Sequence, residues 1–114
     1  MYKLALPDGV GIAGPSPPAG HNRQPRLYPN APNPFNPSTS IRFELPLSTH
    51  ARLAIYDQSG RLIRTLVDAT LPAGSHSRRW DGLSAAGVPV ASGRYTAVLE
   101  AAGTRADQTM LLLK

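Results

Sequence analysis

The chain reads WDGLSAAGVPVASGRY over residues 80–95, and this stretch decides the fold that we expect. It contains Trp80, the only tryptophan of the chain, and a second aromatic residue, Tyr95. The turn-forming pairs Asp-Gly and Ser-Gly between them end one strand and begin the next. The pattern predicts an indole at the end of one strand and a loop that crosses to a second sheet, where the tyrosine re-enters the core. We therefore place the stretch in the middle of a small all-β domain.

Length and composition favour a single domain made of strands and turns. A chain of 114 residues can bury roughly two thirds of its unfolded surface in one core. Twelve prolines and ten glycines disfavour long helices, because proline breaks a helix and glycine weakens it by about 1 kcal/mol. The chain has no cysteine, which excludes disulfides, thiolate metal sites and cysteine nucleophiles.

The first 26 residues have the composition of an extended arm or linker. Prolines recur there without any sustained alternation of apolar residues, which is typical of a polyproline-like segment. The N-terminus has too few consecutive apolar residues for a secretory signal. Either the chain does not direct its own export, or it is the tail of a longer protein. We predict a Pro/Gly-rich arm over residues 1–26 and a β-sandwich over residues 27–114.

Alternating apolar residues predict strands at regular spacing after the arm. A proline-rich stretch, residues 27–39, which we call the Asn-Pro stretch, comes first; we expect it to be extended and to pack along the edge of the sandwich. The adjacent apolar pairs of the third strand leave its inward register open and suggest a bulge. The predicted strands cover residues 41–45, 50–56, 61–67, 75–80, 93–101 and 104–113.

The charged and apolar residues exclude two classes of partner. The net charge of +5 comes mostly from arginines that are spread along the chain. Arg78 and Arg79 are adjacent, but we interpret them as ordinary surface residues, and we expect no nucleic-acid binding. No stretch approaches the about 20 apolar residues of a membrane helix, so we expect no membrane span.

The histidines do not have the spacing of metal ligands. His21, His50 and His76 are far apart and lack partners two or four positions away, so a zinc site is not expected. Ser75 and His76 are neighbours on a strand and point to opposite faces, which prevents them from acting as nucleophile and base.

Three aspartates stand at expected strand ends near Gly or Ala: Asp57, Asp68 and Asp81. Carboxylates at such positions cap turn amides. A calcium site that uses Asp57 and Asp81 is the less favoured alternative, because it needs about six converging oxygens. We predict no catalytic residue, no cofactor and no small-molecule substrate.

The aromatic residues of the central stretch allow two interpretations. Trp80 and Tyr95 could form a carbohydrate platform if both were exposed. Burial in the core is favoured, because each lies on a predicted strand flanked by turn residues.

The string YPNAPNPFNPSTSIRFELP, residues 28–46, resembles the opening of the C-terminal sorting domains of type IX secretion cargo. Other strings agree with that family in the same order: residues 55–57, 60–66, 71–74, 80–82, 87–95 and 110–114. Arg78 departs from the family, which usually has an apolar residue there. A similar immunoglobulin-like module occurs in the flagellar hook-capping protein.

The resemblance implies an immunoglobulin-like antiparallel β-sandwich of about seven strands with no enzymatic activity. It also implies a secretion-sorting or surface-attachment module of an extracellular or cell-surface protein, recognised by outer-membrane secretion or anchoring proteins. The alternative is a self-assembling structural subunit of an extracellular filament, appendage or viral particle, in which the arm contacts a neighbouring copy. We expect partner contact at eight residues: Asn33, Phe35, Asn36, Met110, Leu111, Leu112, Leu113 and Lys114.

Overall fold

A computed structural model describes residues 24–114. Most of the predicted arm, and His21 with it, lies outside the described residues, so the arm stays a prediction. The described part contains seven strands and no helix. The strands are β1 (Arg26–Leu27), β2 (Thr39–Leu45), β3 (Thr49–Asp57), β4 (Leu62–Leu71), β5 (Gly74–Trp80), β6 (Gly93–Ala101) and β7 (Thr104–Leu112).

The strands form two antiparallel sheets. The first has the order β1-β2-β5 and the second the order β4-β3-β6-β7. The loop between β5 and β6 crosses from the first sheet to the second, as the central stretch predicts. The expected immunoglobulin-like sandwich is confirmed.

Trp80 lies at the centre of the core and has no exposed surface. Its ring packs 5.6 Å from Phe35 and 5.2 Å from Tyr95, measured between ring centroids. Its Nε1 donates a hydrogen bond to the carbonyl oxygen of Leu83 at 2.9 Å, so the buried polar atom is satisfied. The core interpretation of the two aromatics is confirmed and the carbohydrate platform is wrong, because their faces contact other core residues.

The apolar residues that alternate along β2, β3 and β6 fill the space between the sheets, as predicted. Their alternation puts one side chain in two toward the opposite sheet. The residues concerned are Ile41, Phe43, Leu45, Ala51, Leu53, Ile55, Tyr95, Ala97 and Leu99, all buried.

The hairpin between β3 and β4 has the predicted turn. The N–H of Gly60 donates to the carbonyl of Asp57 at 3.0 Å, and Gly60 has a φ of +88°. That backbone region favours glycine, because it places a Cβ too close to the following carbonyl.

β4 is longer than the sequence suggests and contains the expected irregularity. We predicted an end at Val67, but the strand continues to Leu71. Register shifts opposite β3 leave Ile63 and Leu66 as extra residues, which resolves the ambiguity of the adjacent apolar pairs.

Asp68 is therefore inside a strand, and its predicted role as a turn cap is wrong. Its Oδ1 lies 2.6 Å from Nε2 of His50 on the neighbouring strand. The pairing of β3 with β4 brings these two residues onto the same face of the sheet.

The Asn-Pro stretch packs along the edge of the sandwich, which confirms the prediction. Phe35 donates its N–H to the carbonyl of Leu111 at 2.9 Å and accepts the N–H of Leu113 at 3.1 Å. It thereby pairs in parallel with the end of β7, while its ring is buried against Trp80. This pairing shields part of an edge that would otherwise expose backbone groups.

Candidate partner-binding surface

The structure brings together the two stretches in which we predicted partner contacts. Asn33 accepts the N–H of Leu111 through Oδ1 at 3.0 Å, across 78 positions of sequence. The last residue, Lys114, donates its N–H to Ser92 Oγ at 2.9 Å, which holds the end of the chain against the loop before β6. The beginning and the end of the domain therefore share one continuous surface.

The eight predicted contact residues have two different environments. The side chains of Phe35, Met110 and Leu112 are buried and contribute to the core. The other five form what we call the terminal surface: Asn33, Asn36, Leu111, Leu113 and Lys114. Leu111 is half-buried and the other four are exposed, with 51% of Leu113 accessible. An exposed leucine beside a lysine and two amides can offer a protein partner both apolar area and hydrogen bonds. Partner contact by any of the eight stays a prediction.

Asp57 and Asp81 cap turns, as predicted. Asp57 Oδ1 accepts hydrogen bonds from the N–H groups of Ser59 at 2.9 Å and Arg61 at 3.0 Å. The hydrogen bond from the Ser59 hydroxyl, with smaller contributions from these amides, lowers the pKa of Asp57. Asp81 Oδ1 accepts the N–H of Leu83 at 3.1 Å. Within residues 24–114, no three His, Asp or Glu side chains gather as metal ligands.

The charges of the two outer sheet surfaces differ. The four-stranded sheet pairs acids with bases, Arg52 with Glu100 at 3.5 Å and His50 with Asp68. The outer face of the three-stranded sheet has three arginines and one acid: Arg26, Arg42, Arg79 and Glu44. Sequence reasoning missed this basic face, because the arginines come from three separate strands. The sequence did contain one indication: Arg42 alternates with apolar residues on its strand, which places its side chain on the outer face.

Glu44 is the acid on this basic face. Tyr28 donates its hydroxyl to Glu44 Oε1 at 2.8 Å, and the guanidinium of Arg42 lies 4.0 Å from the centre of the Tyr28 ring. The Tyr28 hydrogen bond is the largest cause of a pKa of Glu44 below its ordinary value of 4.5, with smaller effects from Ser75, Arg26 and Arg42.

We expect Tyr28→Phe to raise the pKa of Glu44 toward that ordinary value, measured by NMR titration of the side-chain carboxyl. A lowered carboxyl pKa stabilises the fold above the unfolded-state pKa, and this stabilisation is lost as the pH falls through the folded-state pKa. The variant should therefore be less stable than the parent at pH 7, by about 1 kcal/mol or less at this solvated site. That difference should shrink as the pH falls below about 4.5. Tyr56→Phe, on the other sheet, is the control and should leave the Glu44 pKa unchanged. An unchanged Glu44 pKa in Tyr28→Phe would contradict the assignment.

The sequence profile of the FlgD Ig-like domain matches residues 32–105. These residues include β2 to β6, the first two residues of β7 and most of the Asn-Pro stretch, and therefore more than half of the chain. The chain belongs to the FlgD Ig-like domain family. The expected likeness to the hook-capping module is thereby confirmed. A search of curated protein sequences finds no match.

Solved structures share the fold of this FlgD Ig-like domain. One is PorZ, an essential surface component of the type IX secretion system of Porphyromonas gingivalis, with a TM-score of 0.56 and 21% identity over 77% of this chain and 11% of PorZ. Another is dimeric latent PorU from Porphyromonas gingivalis, with a TM-score of 0.60 and 19% identity over 83% of this chain and 10% of PorU. A third is FlgD from P. aeruginosa, with a TM-score of 0.54 and 26% identity over 65% of this chain and 60% of FlgD.

This chain therefore spans about a tenth of PorZ and PorU. At these identities the likeness to PorZ and PorU shows the fold. In the part of the chain that the structure describes, no helix is long and apolar enough to span a membrane.

Proposed function

We propose that this FlgD Ig-like domain is a non-enzymatic sorting or attachment module of an extracellular or cell-surface protein. Its terminal surface would dock onto outer-membrane secretion or anchoring proteins. The observation that carries the proposal is the contact between the Asn-Pro stretch and the end of β7, because it joins the two strings that most resemble type IX sorting domains. The similar fold found in PorZ, a surface component of a type IX secretion system, supports it.

The environment of the terminal surface also supports docking. The side chain of Leu113 is 51% exposed at the end of the chain. Burying this apolar surface against a partner would remove it from water, which favours binding. The backbone of Leu113 is held by Phe35, so a partner would meet a surface that is already ordered. Pre-ordered groups lose less conformational entropy on binding, which favours recognition through a small contact area.

The proposal is tested by fusing the full chain to the C-terminus of a folded reporter that carries its own periplasmic export signal. In a bacterium with an intact type IX system, the reporter should reach the cell surface or the medium. In a strain without the translocon it should stay in the periplasm.

We expect Leu113→Glu to lower the exported fraction by about tenfold or more, since one central contact often contributes at least 1.4 kcal/mol to binding. Leu47→Glu is the matched control, because Leu47 is 44% exposed and follows β2 at the end away from Phe35. Circular dichroism should show both variants folded.

Reporter that stays in the periplasm with the unmodified chain would refute the sorting role. If the purified chain also forms large assemblies as its concentration rises, the self-assembling structural subunit becomes the favoured function. Equal loss of export in Leu113→Glu and Leu47→Glu would show that the terminal surface is not the docking site.

A further inference from the structure

β5 has one backbone edge without a partner in the described part of the chain. It ends the three-stranded sheet and pairs with β2 alone. Ser40 of β2 exchanges both backbone hydrogen bonds with Ala31, at 2.9 and 3.0 Å, so its polar groups point away from β5. The backbone polar groups of successive residues point to opposite sides of a strand. The hydrogen bonds between β2 and β5 are therefore made by the pair Ile41 and Arg78 and by every second pair along the ladder. The backbone groups left pointing to the open edge are those of Ser75, Ser77 and Arg79.

Two of the other three edges within residues 24–114 are short or interrupted, and the third is covered only at its end. β1 has two residues, and the Asn-Pro stretch pairs with the end of β7. Two register shifts interrupt β4, and Ala85 donates its N–H to the carbonyl of Ile63 at 2.9 Å, which covers one end of that strand. β5 pairs with β2 without any shift over its whole length. Residues 104–110 of β7 also pair with β6 without a shift, so β5 is one of two regular edges that a strand from another protein could extend.

Two arginines stand at this open edge. Arg78 Nη1 donates to the carbonyl of Ser77 at 2.8 Å, so its guanidinium lies over the edge. Arg79 Nη2 donates to Ser38 Oγ at 2.9 Å on the outer face. Among the described residues, no carboxylate lies within 4.0 Å of either guanidinium. Their charges are therefore available to a partner.

These charges decide which strand can pair with β5. The β5 of a second copy would bring the same two arginines close to these, and like charges on adjacent strands repel. An apolar strand would displace water from the guanidinium groups without offering them new hydrogen bonds, which disfavours pairing. An acidic strand would form charge-assisted hydrogen bonds with them. Residues 1–23 contain one acid and two basic residues, so the arm does not have the complementary charge.

We propose that β5 is a strand-addition site for an extended acidic segment of a partner protein. Arg78 and Arg79 project on opposite faces of the sheet, so the segment needs two consecutive carboxylates. When the first carboxylate binds Arg78, the guanidinium leaves the Ser77 carbonyl, which then accepts an N–H of the incoming strand. This surface is separate from the terminal surface, and the inference does not depend on the proposed function.

The test is an NMR titration of the full chain with the end-capped peptide Thr-Val-Thr-Glu-Glu-Thr-Val-Thr. We expect shifts and slower hydrogen exchange at the amides of Ser75, Ser77 and Arg79, which face solvent in the free chain. Arg78→Gln and Arg79→Gln should each weaken binding by about tenfold. Arg105→Gln is the matched control, since Arg105 is an exposed strand arginine of the other sheet, and it should leave the affinity unchanged.

Further peptides separate strand pairing from attraction between charges. A peptide with Lys-Lys in place of Glu-Glu should not bind. A Glu-Glu peptide with N-methyl groups on alternate amides keeps its charges but cannot complete the ladder, and it should bind at least about tenfold more weakly.

Several results would overturn the proposal. They are no binding at about 1 mM peptide, equal binding of the N-methylated peptide, or equal weakening by Arg105→Gln. If hydrogen exchange at the amides of Ser75, Ser77 and Arg79 is already slow without peptide and the chain has the mass of a dimer, the strand that pairs with β5 belongs to a second copy. Binding of dextran sulfate at the two arginines, without slower amide exchange and without peptide binding, would assign them to a polyanion.

Discussion

Replacing Trp80 with alanine is expected to lower the free energy of unfolding by about 3–5 kcal/mol, the usual effect of removing a large buried aromatic side chain. The indole has no exposed surface and contacts both Phe35 and Tyr95. Phe35 belongs to the stretch that pairs with β7, and Tyr95 to the four-stranded sheet. Loss of the indole would therefore leave a cavity where both sheets and the Asn-Pro stretch meet, and these elements cannot collapse together without breaking their pairing.

The loss is measured by urea unfolding followed by far-ultraviolet circular dichroism, because the variant has no tryptophan fluorescence. Val88→Ala is the control: Val88 lies in the same loop region, is 57% exposed and should change the stability by about 0.5 kcal/mol or less. If Trp80→Ala does not fold, Trp80→Phe provides a graded value, because it keeps an aromatic ring and loses the hydrogen bond to Leu83. A loss below about 1 kcal/mol in Trp80→Ala would show that the indole is not central to the core.

Gly82→Ala is expected to lower the free energy of unfolding by about 2–5 kcal/mol, through two separate effects. Gly82 has a φ of +77°, which costs an alanine about 1–2 kcal/mol. An added Cβ would also lie 2.8 Å from the carbonyl oxygen of Pro37. That oxygen is part of the backbone and cannot rotate away, so relief requires a shift of the Asn-Pro stretch, at about 1–3 kcal/mol.

Gly87→Ala separates the two effects. Gly87 lies in the same loop with a φ of +78°, but a Cβ there would meet nothing within 4 Å. It should lose about 1–2 kcal/mol from the backbone conformation alone. The difference between the two variants, measured in the same urea series, reports the contact of the β5–β6 loop with Pro37. Equal losses in both would contradict that contact.

Much of the fold follows from patterns within single strands. Alternation over Ile41, Phe43 and Leu45 is enough to predict a strand and its inward face, since side chains repeat with a period of two. Asp57 and Gly60 predict their own turn, because a carboxylate that caps amides and a positive φ are local properties. The string over residues 28–46 was specific enough to indicate the immunoglobulin-like sandwich.

The candidate surfaces follow from the sequence in part. The resemblance indicated the Asn-Pro stretch and the last strand as regions of interest, and the structure brings them together. It did not distinguish Phe35, Met110 and Leu112, which are buried, from Leu113, which is exposed. Neighbouring leucines of one string have opposite environments, and the pairing of β7 with β6 and with Phe35 decides which of them faces the core.

The sequence by itself determined where most of the strands and turns lie and that Trp80 belongs to the core. The tertiary structure alone decided the length of β4, the pairing of Asp68 with His50, the contact of Gly82 with Pro37 and the open edge beside Arg78 and Arg79. The physical reason is the range of the interactions. Alternation and turn chemistry act between neighbours in the chain, whereas strand order, register and edge exposure depend on residues as distant as Asn33 and Leu111, 78 positions apart.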